Sequence, residues 1–465
     1  MKARSPHKPE LSGLPRVDHV LAQGAIRALS ARWGEGWIKQ QVRDAIDELR
    51  QGLLRGEDLS LEVEQVVTRV QQRVSAGPGL RQVINATGVV LHTGLGRAPL
   101  GSAVSQELAA MSDYCDLELD LRSGRRNKRG GLLGRSLAAW LGAEACHFTG
   151  NNAGAVLLCL AEVARGKEVL VSRGELIEIG GGFRIPEMLE ASGARLVEVG
   201  TTNRTRLRDY ASALSERTAC ILRVHPSNFR TEGFVERPSL VELCELARSS
   251  GIPLIKDLGG GRVCDLGDLS RHEPSVQQCL TAGADAVCFS LDKLFGGPQG
   301  GAIVGSEALV GRFRAHPLAR VLRVGKLTLA ALAPVVRAHV TGASSEVEVV
   351  RLISLPQELL KQRAQSWREA LSDVPLALSV EPSIGAVGGG TLPGVELDSW
   401  ALVARGVKAH QLAEALRSSD PAILARVQQE ALWIDARTPG VDQDAQLLKA
   451  FRAAATRALR GSTSS

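Results

Sequence analysis

The sequence predicts an α/β protein with a mostly parallel central sheet, preceded by a helical unit and followed by a smaller α+β domain. A chain of 465 residues is too long for one compact core, so two or three domains are expected. Apolar residues recur at helical spacing before residue 77. Between about residues 79 and 325, short β-rich runs alternate with helical stretches, which is typical of a parallel sheet covered by helices.

Residues 1–77 are predicted to form the N-terminal helical domain. Three segments place apolar residues on one helix face, namely VDHVLAQGAIRAL, WIKQQVRDAIDELRQGLL and LEVEQVVTRVQQRV. Basic and acidic residues nearly balance in this unit, so charge alone does not mark it as an RNA-binding domain.

Residues 78–325 are predicted to form the large α/β domain, and residues 326–465 the small α+β domain. In the large domain, ACILRV, IPLIKDL and DAVCFS are predicted strands, while SLVELCELARSSG and PSVQQCLTAGA are predicted helices. The small domain opens with the helical segment LTLAALAPVVRAHV and closes with AQLLKAFRAAATRAL.

Composition limits the class of protein. The net charge of +6 permits an acidic partner such as RNA or a phosphorylated substrate, but does not require one. The eight cysteines show no metal-ligand spacing, so we expect buried thiols in a reducing cytosol and no metal site. No apolar run reaches the roughly 18–20 residues of a membrane helix, and no secretory signal begins the chain. We therefore expect a cytoplasmic protein without a membrane partner.

One chemical feature is a lysine at the end of a predicted strand. In DAVCFSLDKLFGGPQGG an apolar run ends at Ser290, and Asp292 and Lys293 precede a glycine-rich turn. A lysine placed there can reach the crevice outside the sheet and form a Schiff base if its surroundings lower its pKa. Taken alone, however, the pattern fits an ordinary surface-loop lysine better.

An aspartate in a similar setting changes this balance. In IPLIKDLGGG a second apolar run ends in Asp257, 36 positions earlier (293 − 257). Pyridoxal phosphate (PLP) needs an anion at its pyridinium nitrogen, because a protonated ring is the better electron sink. Neighbouring strand ends would supply this anion and the lysine together, although Asp257 alone fits a turn or a helix cap equally well.

A third pattern provides a place for the cofactor phosphate. HFTGNNAGAVLLCLAEVA sets Asn151 and Asn152 among small residues before a long apolar helix, where free backbone N–H groups converge. The same pattern also describes an ordinary capped helix. The hydroxyl of Ser290, three residues before the lysine, would add a further contact to the phosphate.

Longer strings resemble the bacterial selenocysteine synthase family (L-seryl-tRNA(Sec) selenium transferases). They occur in family order between about residues 80 and 440, as RQVINATGVVLHTGLGRAPL, SRGELIEIGGGFRIPEML, EVGTTNRTRLRDY, VHPSNFRTEGF, SLDKLFGGPQGG, HPLARVLRVGKLTLAAL and SSDPAILARV. The resemblance implies the aminotransferase-type (fold type I) PLP fold. It also implies conversion of seryl-tRNA(Sec) to selenocysteyl-tRNA(Sec) through a PLP-bound dehydroalanyl intermediate, with selenophosphate as selenium donor.

The resemblance further implies roles for single residues. Lys293 would carry PLP and remove the α-proton, Asp257 would contact the pyridinium nitrogen, and Asp292 would assist proton transfer. Arginines would bind selenophosphate, because guanidinium groups donate paired hydrogen bonds to a tetrahedral oxyanion, although each alone fits a solvated surface charge better. These arginines are Arg97, Arg320 and Arg323. Further residues expected to face the cofactor are His225, Ser227, Asn228 and Arg173.

The chain departs from the family pattern beside the lysine. Leu291 stands where the family usually has glycine, although Asp292 and Lys293 are intact. The other departures are at Gly94, Gly150, Gly154 and Gly325.

Two segments are candidates for RNA contact. By resemblance, residues 1–77 would recognise the tRNA. The most basic stretch, RSGRRNKRGGLLGR at 122–135, contains six Arg or Lys and no acidic residue. It would contact RNA phosphates, form a solvated loop, or bind the cofactor phosphate of a neighbouring subunit. The resemblance also implies a homo-oligomer, in particular a decamer.

Two other functions remain open from the sequence. A PLP-dependent lyase acting on a free amino acid or amino sugar phosphate would use the same Lys293 and Asp257, but would not need residues 1–77. A catalytically silent RNA-binding or scaffold protein would not need to retain Lys293, Asp257 and the three arginines. The presence of residues 1–77 favours the transferase over the lyase. The presence of Lys293, Asp257 and the three arginines favours it over the silent protein.

Overall fold

The structure, a computed structural model, describes residues 11–56, 59–74, 77, 79–406 and 408–462. It divides into two compact units. One comprises Met1–Ile84, His410–Leu424 and Ala445–Ser465, and the other comprises Asn85–Ala409 and Ala425–Asp444. The three successive domains expected from the sequence (1–77, 78–325 and 326–465) divide the chain differently, and the first and last include residues outside the described ranges. That scheme stays a prediction.

The N-terminal helices pack through apolar faces. They are α1 (Val17–Leu21), α2 (Gly24–Trp33), α3 (Glu35–Leu54) and α4 (Val63–Val74). On α3 the buried residues Ile38, Val42, Ala45 and Leu49 recur every three or four positions. This spacing places them on one helix face, where they join the buried valines of α4 in a single cluster.

The larger sheet lies in the second unit and is mostly parallel. Its strands are β3 (Ala145–Thr149), β4 (Glu168–Ser172), β7 (Arg195–Val199), β8 (Thr218–Val224), β9 (Leu254–Gly259), β10 (Ala286–Ser290) and β11 (Gly301–Gly305). Their order is β3-β11-β10-β9-β8-β4-β7. The pairs from β10 to β7 are parallel, whereas β11 runs antiparallel to both β10 and β3.

Both faces of this sheet are buried. Successive residues of β10 alternate between two apolar clusters: Val287 and Phe289 belong to one, and Ala286 and Cys288 to the other. Such continuous apolar runs are typical of parallel strands covered on both sides. The helices that pack against strands of this sheet are α6 (Gly131–Leu141), α7 (Asn152–Val163), α8 (Ile185–Ser192), α9 (Leu207–Ala213), α10 (Leu240–Ser249), α11 (Val276–Thr281) and α12 (Glu307–Ala315).

The helices after α4 are α5 (Gly101–Ala110), α6 (Gly131–Leu141), α7 (Asn152–Val163), α8 (Ile185–Ser192), α9 (Leu207–Ala213), α10 (Leu240–Ser249), α11 (Val276–Thr281), α12 (Glu307–Ala315), α13 (Pro317–Val321), α14 (Lys326–Val340), α15 (Glu348–Ile353), α16 (Gln357–Ala370), α17 (Ala409–Arg417) and α18 (Asp444–Ser462). No helix in the described ranges combines the length and apolar character needed to cross a membrane.

A second sheet contains the long hairpin of β12 (Ala377–Gly388) and β13 (Thr391–Arg405). Its other strands are β1 (Val83–Ala86), β2 (Val89–Leu91), β14 (Ala422–Gln428) and β15 (Ala431–Asp435), in the order β1-β14-β15-β13-β12-β2. A short hairpin is formed by β5 (Glu178–Ile179) and β6 (Phe183–Arg184).

The parallel register brings three strand ends to one edge of the larger sheet. Asp257 pairs with Val224 of β8 on one side and with Cys288 of β10 on the other. The chain therefore leaves β8 at His225 and β10 just before Lys293, on either side of Asp257. In open parallel sheets, ligands bind in the crevice outside the carboxyl ends of the strands.

Candidate active site

Asp257 and Lys293 lie at the ends of adjacent strands and are both almost fully buried. Asp257 is 6% exposed within β9, and Lys293 is 6% exposed in the turn that follows β10. Burial of a carboxylate and an amine side by side is costly unless each finds a partner. The pair is therefore a candidate functional site on physical grounds, not only by its position in the sheet.

The carboxyl group of Asp257 is held by an asparagine at the start of α7. Asn152 donates from Nδ2 to Asp257 Oδ1 at 2.8 Å. Burial raises the pKa of Asp257, and the Asn152 bond and the ammonium groups of Lys256 and Lys293 oppose that shift. The result is an oriented, desolvated carboxyl group, which a cationic N–H group of a ligand would pair with favourably.

Asn151, the residue before Asn152, caps the N-terminus of α7. Asn151 is the N-cap of α7, and its Oδ1 accepts a hydrogen bond from the backbone N–H of Gly154 at 2.8 Å. The neighbouring Gly150 N–H donates to the carbonyl of Leu322 at 2.9 Å. The two asparagines thus differ, since Asn151 caps its own helix and Asn152 reaches across the sheet to Asp257.

The turn that carries Lys293 is fixed by backbone hydrogen bonds. Leu291 N–H donates to the Gly300 carbonyl at 2.9 Å, and Leu294 N–H donates to the Gly260 carbonyl at 3.0 Å. The Leu291 side chain is fully buried, and its Cδ1 would lie 2.9 Å from a Cβ at Gly300. A side chain at position 300 would therefore collide with Leu291.

The surroundings of Lys293 favour its neutral amine. Burial lowers the pKa of Lys293, and the Arg97 guanidinium lowers it further. The carboxyl groups of Asp257, Asp292 and Glu273 act in the opposite direction. A neutral amine is the form that attacks a carbonyl or accepts a proton.

Arg97 is the arginine of the predicted anion site that the structure brings to the lysine turn. Its Nη1 donates to Asp292 Oδ2 at 2.6 Å. Arg97 has φ 66°, in the left-handed region, which costs a non-glycine residue roughly 1–2 kcal/mol. Strained backbone of this kind is concentrated at functional sites.

Arg320 and Arg323 lie elsewhere. Both are exposed, and both line a cavity of about 440 Å³ whose lining does not include Arg97 or Lys293. Arg129, Arg135 and Arg314 line the same cavity, so it is strongly basic. Leu322 is one of the two residues between Arg320 and Arg323, and its carbonyl accepts a hydrogen bond from the Gly150 N–H beside the Asn151 cap. The three arginines are thus split between two places in this chain.

Ser290, Ser227 and His225 lie at the same edge of the sheet as Asp257. Ser290 and Ser227 are buried. The backbone N–H of His225 donates to the Asp257 carbonyl at 2.9 Å. Burial lowers the pKa of His225 to about 3, helped by the nearby Lys256, Arg237 and Arg223. The imidazole is therefore neutral at physiological pH.

Asn228 and Arg173 have other partners. Asn228 is exposed and donates from Nδ2 to the Glu178 carbonyl at 2.8 Å. Arg173 is half exposed and pairs with Glu198 at 2.8 Å. Among the described residues, neither side chain forms a hydrogen bond or an ion pair with Asp257 or Lys293.

A buried residue that sequence reasoning missed is Glu273. It is 1% exposed, and its Oε2 lies 3.9 Å from Nε2 of His225. Its signal in the sequence is weak, because it lies in a loop directly before a proline and belongs to no periodic pattern. Only the fold shows that this loop passes beneath the strand ends.

These residues fit PLP on their own chemistry. An amine, an acidic partner for a ring N–H and a helix N-terminus for a phosphate are all present at one edge of the sheet. Asn152 Oδ1 is buried without a hydrogen-bond partner, so one acceptor next to Asp257 is left for a ligand. Among the described residues, no three or more His, Cys, Asp or Glu side chains are grouped to hold a metal ion.

Comparisons with known proteins agree with this site. A family model described as L-seryl-tRNA selenium transferase matches residues 83–439, and one described as selenocysteine synthase N terminal matches residues 11–50. The L-seryl-tRNA(Sec) selenium transferase of Carboxydothermus hydrogenoformans is 42% identical over 92% of this chain and 94% of its own. The Moorella thermoacetica enzyme of the same name is 41% identical over 98% and 99%.

Among solved structures, D-glucosaminate-6-phosphate ammonia-lyase is similar with a TM-score of 0.58 and 22% identity, over 84% of this chain and 99% of that one. At this identity the likeness concerns the fold, and it agrees with the aminotransferase-type (fold type I) prediction, which is confirmed. The family matches cover α1, α2 and most of α3 as well as the strand ends that hold Asp257 and Lys293. The chain therefore belongs to the L-seryl-tRNA(Sec) selenium transferase family of PLP-dependent enzymes.

Proposed function

We propose that this protein converts seryl-tRNA(Sec) to selenocysteyl-tRNA(Sec), with PLP held on Lys293 and selenophosphate as the selenium donor. The observation that carries the proposal is the buried pair of Asp257 and Lys293 on adjacent strand ends. Family membership supplies the substrate, because relatives about 40% identical along nearly their whole length bear that activity in their names. We further propose that the enzyme works in the cytoplasm as a homo-oligomer, in particular a decamer.

Asp257 and Asn152 would hold the cofactor ring, and the first turn of α7 would hold its phosphate. When bound, PLP supplies an electron sink that makes the α-hydrogen of an attached amino acid acidic. The Asn152 hydrogen bond fixes one oxygen of Asp257, so the carboxylate has one orientation before any ligand arrives. The N–H groups at the start of α7 favour an anion because that helix end is positively polarised.

Lys293 is the proposed base. Its lowered pKa leaves more of the neutral amine at physiological pH, and this amine takes the α-proton of the seryl group. The β-hydroxyl then leaves with a proton as water, which gives a dehydroalanyl group on the tRNA. The selenium of selenophosphate adds to Cβ of that group while Lys293 returns the proton to Cα, and water cleaves the phosphorus–selenium bond with release of phosphate. Asp292, buried next to the lysine, is the proposed proton carrier for the leaving hydroxyl.

Arg97 is proposed to bind selenophosphate together with Arg320 and Arg323. Arg97 already holds a carboxylate oxygen of Asp292, so an incoming oxyanion would exchange with Asp292. That exchange would free the Asp292 carboxylate beside Lys293 at the moment when the donor binds. Arg320 and Arg323 line a separate basic cavity of this chain, so we propose that they reach the same anion from a neighbouring subunit of the homo-oligomer.

The test is turnover of labelled seryl-tRNA(Sec) by purified, PLP-loaded protein with selenophosphate, with free serine and an amino sugar phosphate as parallel substrates. We expect conversion of the tRNA-linked serine alone. Turnover of only a free substrate would replace the proposal by a lyase. Turnover of none, in protein that takes up no PLP, would indicate a silent scaffold.

Replacing Lys293 by Ala should abolish both the visible absorption band of the lysine-bound cofactor and turnover. Both the band and turnover require the buried amine of Lys293, because the amine binds the cofactor covalently and also accepts the α-proton. The matched control is Lys167→Ala, since Lys167 is exposed at the other end of the parallel strands, before β4. Turnover by the Lys293→Ala variant at the wild-type rate would refute the assignment of Lys293.

A further inference from the structure

Glu273 is a buried acid that the proposed chemistry does not use. It lies between the 3-10 turn Gly267–His272 and the N-cap of α11. Its side chain is fully excluded from solvent, and neither carboxyl oxygen has a hydrogen-bond partner among the described residues. An unpaired carboxyl group at such a place is costly, so its retention calls for a role.

The carboxyl group of Glu273 packs directly beneath the loop that supports the lysine turn. A Cβ added at Gly260 would lie 2.3 Å from both Glu273 oxygens, so the carboxyl group touches the Gly260 backbone. The carbonyl of that same Gly260 accepts the N–H of Leu294, next to Lys293. Glu273 is thus separated from the lysine turn by a single backbone segment.

The other face of the carboxyl group points to His225. The distance from Glu273 Oε2 to His225 Nε2 is 3.9 Å, which is less than one ångström beyond a normal hydrogen bond. The backbone of His225 is held at the strand end, because its N–H donates to the Asp257 carbonyl. A movement of less than one ångström by either side chain would bring the two groups within hydrogen-bond distance.

The charge states suit a proton shared between the two side chains. Burial raises the pKa of Glu273 to about 7, although the backbone N–H of Arg262 and the positive charges of Lys293, Lys256 and Arg262 act in the opposite direction. His225 is neutral, and the cations that face it are Lys256, Arg237 and Arg223. A neutral carboxyl group donates to Nε2, and an ionised one accepts from Nε2–H.

We propose that Glu273 is a positioning residue of the cofactor site, which orients the His225 imidazole through a carboxyl–Nε2 hydrogen bond and places a carboxyl group behind the backbone that supports the Lys293 turn. The inference rests on the proposed function, because it takes Lys293 and Asp257 to be the PLP site. It adds a residue to that site whose effect is electrostatic and reaches the cofactor through His225 and Lys293.

The experiment follows the visible absorption band of PLP-loaded protein as a function of pH in the wild type and in Glu273→Gln. Loss of the negative charge destabilises the protonated nitrogen that joins Lys293 to the cofactor. We expect the midpoint of the spectral titration in Glu273→Gln to fall by about one pH unit, or about tenfold in the protonation equilibrium. The control Glu245→Gln changes an exposed glutamate on α10 and should match the wild type.

A double-mutant cycle with His225→Asn tests the path of the effect. If Glu273 acts partly through the imidazole, the shift caused by Glu273→Gln should shrink in the His225→Asn background. Superimposable titration curves for Glu273→Gln and wild type would overturn the inference while leaving the PLP site intact. Absence of the band in wild-type protein supplied with PLP would instead overturn the proposed function, and this inference with it.

Discussion

At the scale of single residues, the site is built from groups whose burial changes their chemistry. Lys293 loses solvent and gains a guanidinium neighbour, both of which favour the neutral amine that the proposed reaction needs. Asp257 loses solvent too, but keeps the Asn152 hydrogen bond and two nearby cations. The two groups were expected from a repeated pattern, an apolar run followed by a charged residue and glycines.

The free energy of unfolding of the protein should depend on pH because Glu273 is buried in the folded state. Its pKa rises from 4.5 when exposed to about 7 in the fold, so the folded state binds the proton more tightly. The stabilising contribution of Glu273 to the free energy of unfolding is therefore fully present below about pH 4.5 and is lost as pH rises through about 7. Glu273→Gln has no carboxyl group to ionise at this position. As pH rises from about 4.5 to about 7, its free energy of unfolding should therefore increase relative to that of the wild type, by at most about 3 kcal/mol.

Urea unfolding of cofactor-free wild type and Glu273→Gln at about pH 5 and about pH 8 measures this change. A difference between the two proteins that is the same at both pH values would show that Glu273 does not change ionisation with folding. Glu245→Gln, on the exposed face of α10, should show no pH-dependent difference.

Single residues also show where sequence reasoning stops. The positions of Lys293 and Asp257 on neighbouring strand ends followed from local pattern and from the rule for parallel sheets. The contact of Arg97 with Asp292 joins residues 195 positions apart, and no local pattern specifies it. Glu273 was missed for the same reason, since its importance comes from Gly260 and His225, which other parts of the chain bring to it.

At the scale of elements, the turn between β10 and β11 is packed around the side chain of Leu291. This side chain is fully buried, and its Cδ1 would lie 2.9 Å from a Cβ at Gly300. The backbone bonds of Leu291 to Gly300 and Gly297 do not depend on the side chain. The side chain therefore adds packing to a turn whose path the backbone already sets.

Replacing Leu291 by Ala should destabilise the protein by about 2–5 kcal/mol, because it leaves a cavity beside the lysine turn. Urea unfolding measures the loss, and the visible cofactor band measures whether the turn still presents Lys293. Leu327→Ala, at an exposed position near the start of α14, is the control and should cost far less. An equal, small effect of both changes would contradict the packing role of Leu291.

Most of the helices and strands can be predicted from the pattern of apolar residues in the sequence. ACILRV, IPLIKDL and DAVCFS form β8, β9 and β10, as their apolar runs predict. The antiparallel return of β11 was not predicted, since periodicity indicates a strand but not its direction. The register of β11 against β3 and β10 is a tertiary property.

At the scale of the whole molecule, residues 122–135 are the most basic stretch of the chain, with six Arg or Lys and no acidic residue. The stretch 122–135 is exposed over most of its first half, and two of its arginines, Arg126 and Arg129, are paired with Glu118. Arg122 and Arg125 are exposed as well. These two remain the simplest candidates for contact with RNA phosphates.

A double substitution of Arg122 and Arg125 by Ala should weaken binding of seryl-tRNA(Sec) and reduce the salt dependence of the binding constant. Each lost phosphate contact should reduce the slope of log K against log salt by about one. Filter binding across a salt series measures this, and PLP uptake serves as the control for folding. An unchanged slope would assign this stretch to one of its other two interpretations and leave residues 1–77 as the RNA-binding candidate.

The position of β11 has a consequence for how the site is assembled on the ribosome. Asn152 follows β3 and Asp257 lies on β9, yet β11 and β10 stand between these two strands in the sheet. A nascent chain that ends before residue 301 already contains Asn152, Asp257 and Lys293, but lacks the strand that joins β3 to β10. Co-translational completion of the cofactor site therefore waits for residues 301–305, the last strand of this sheet to emerge.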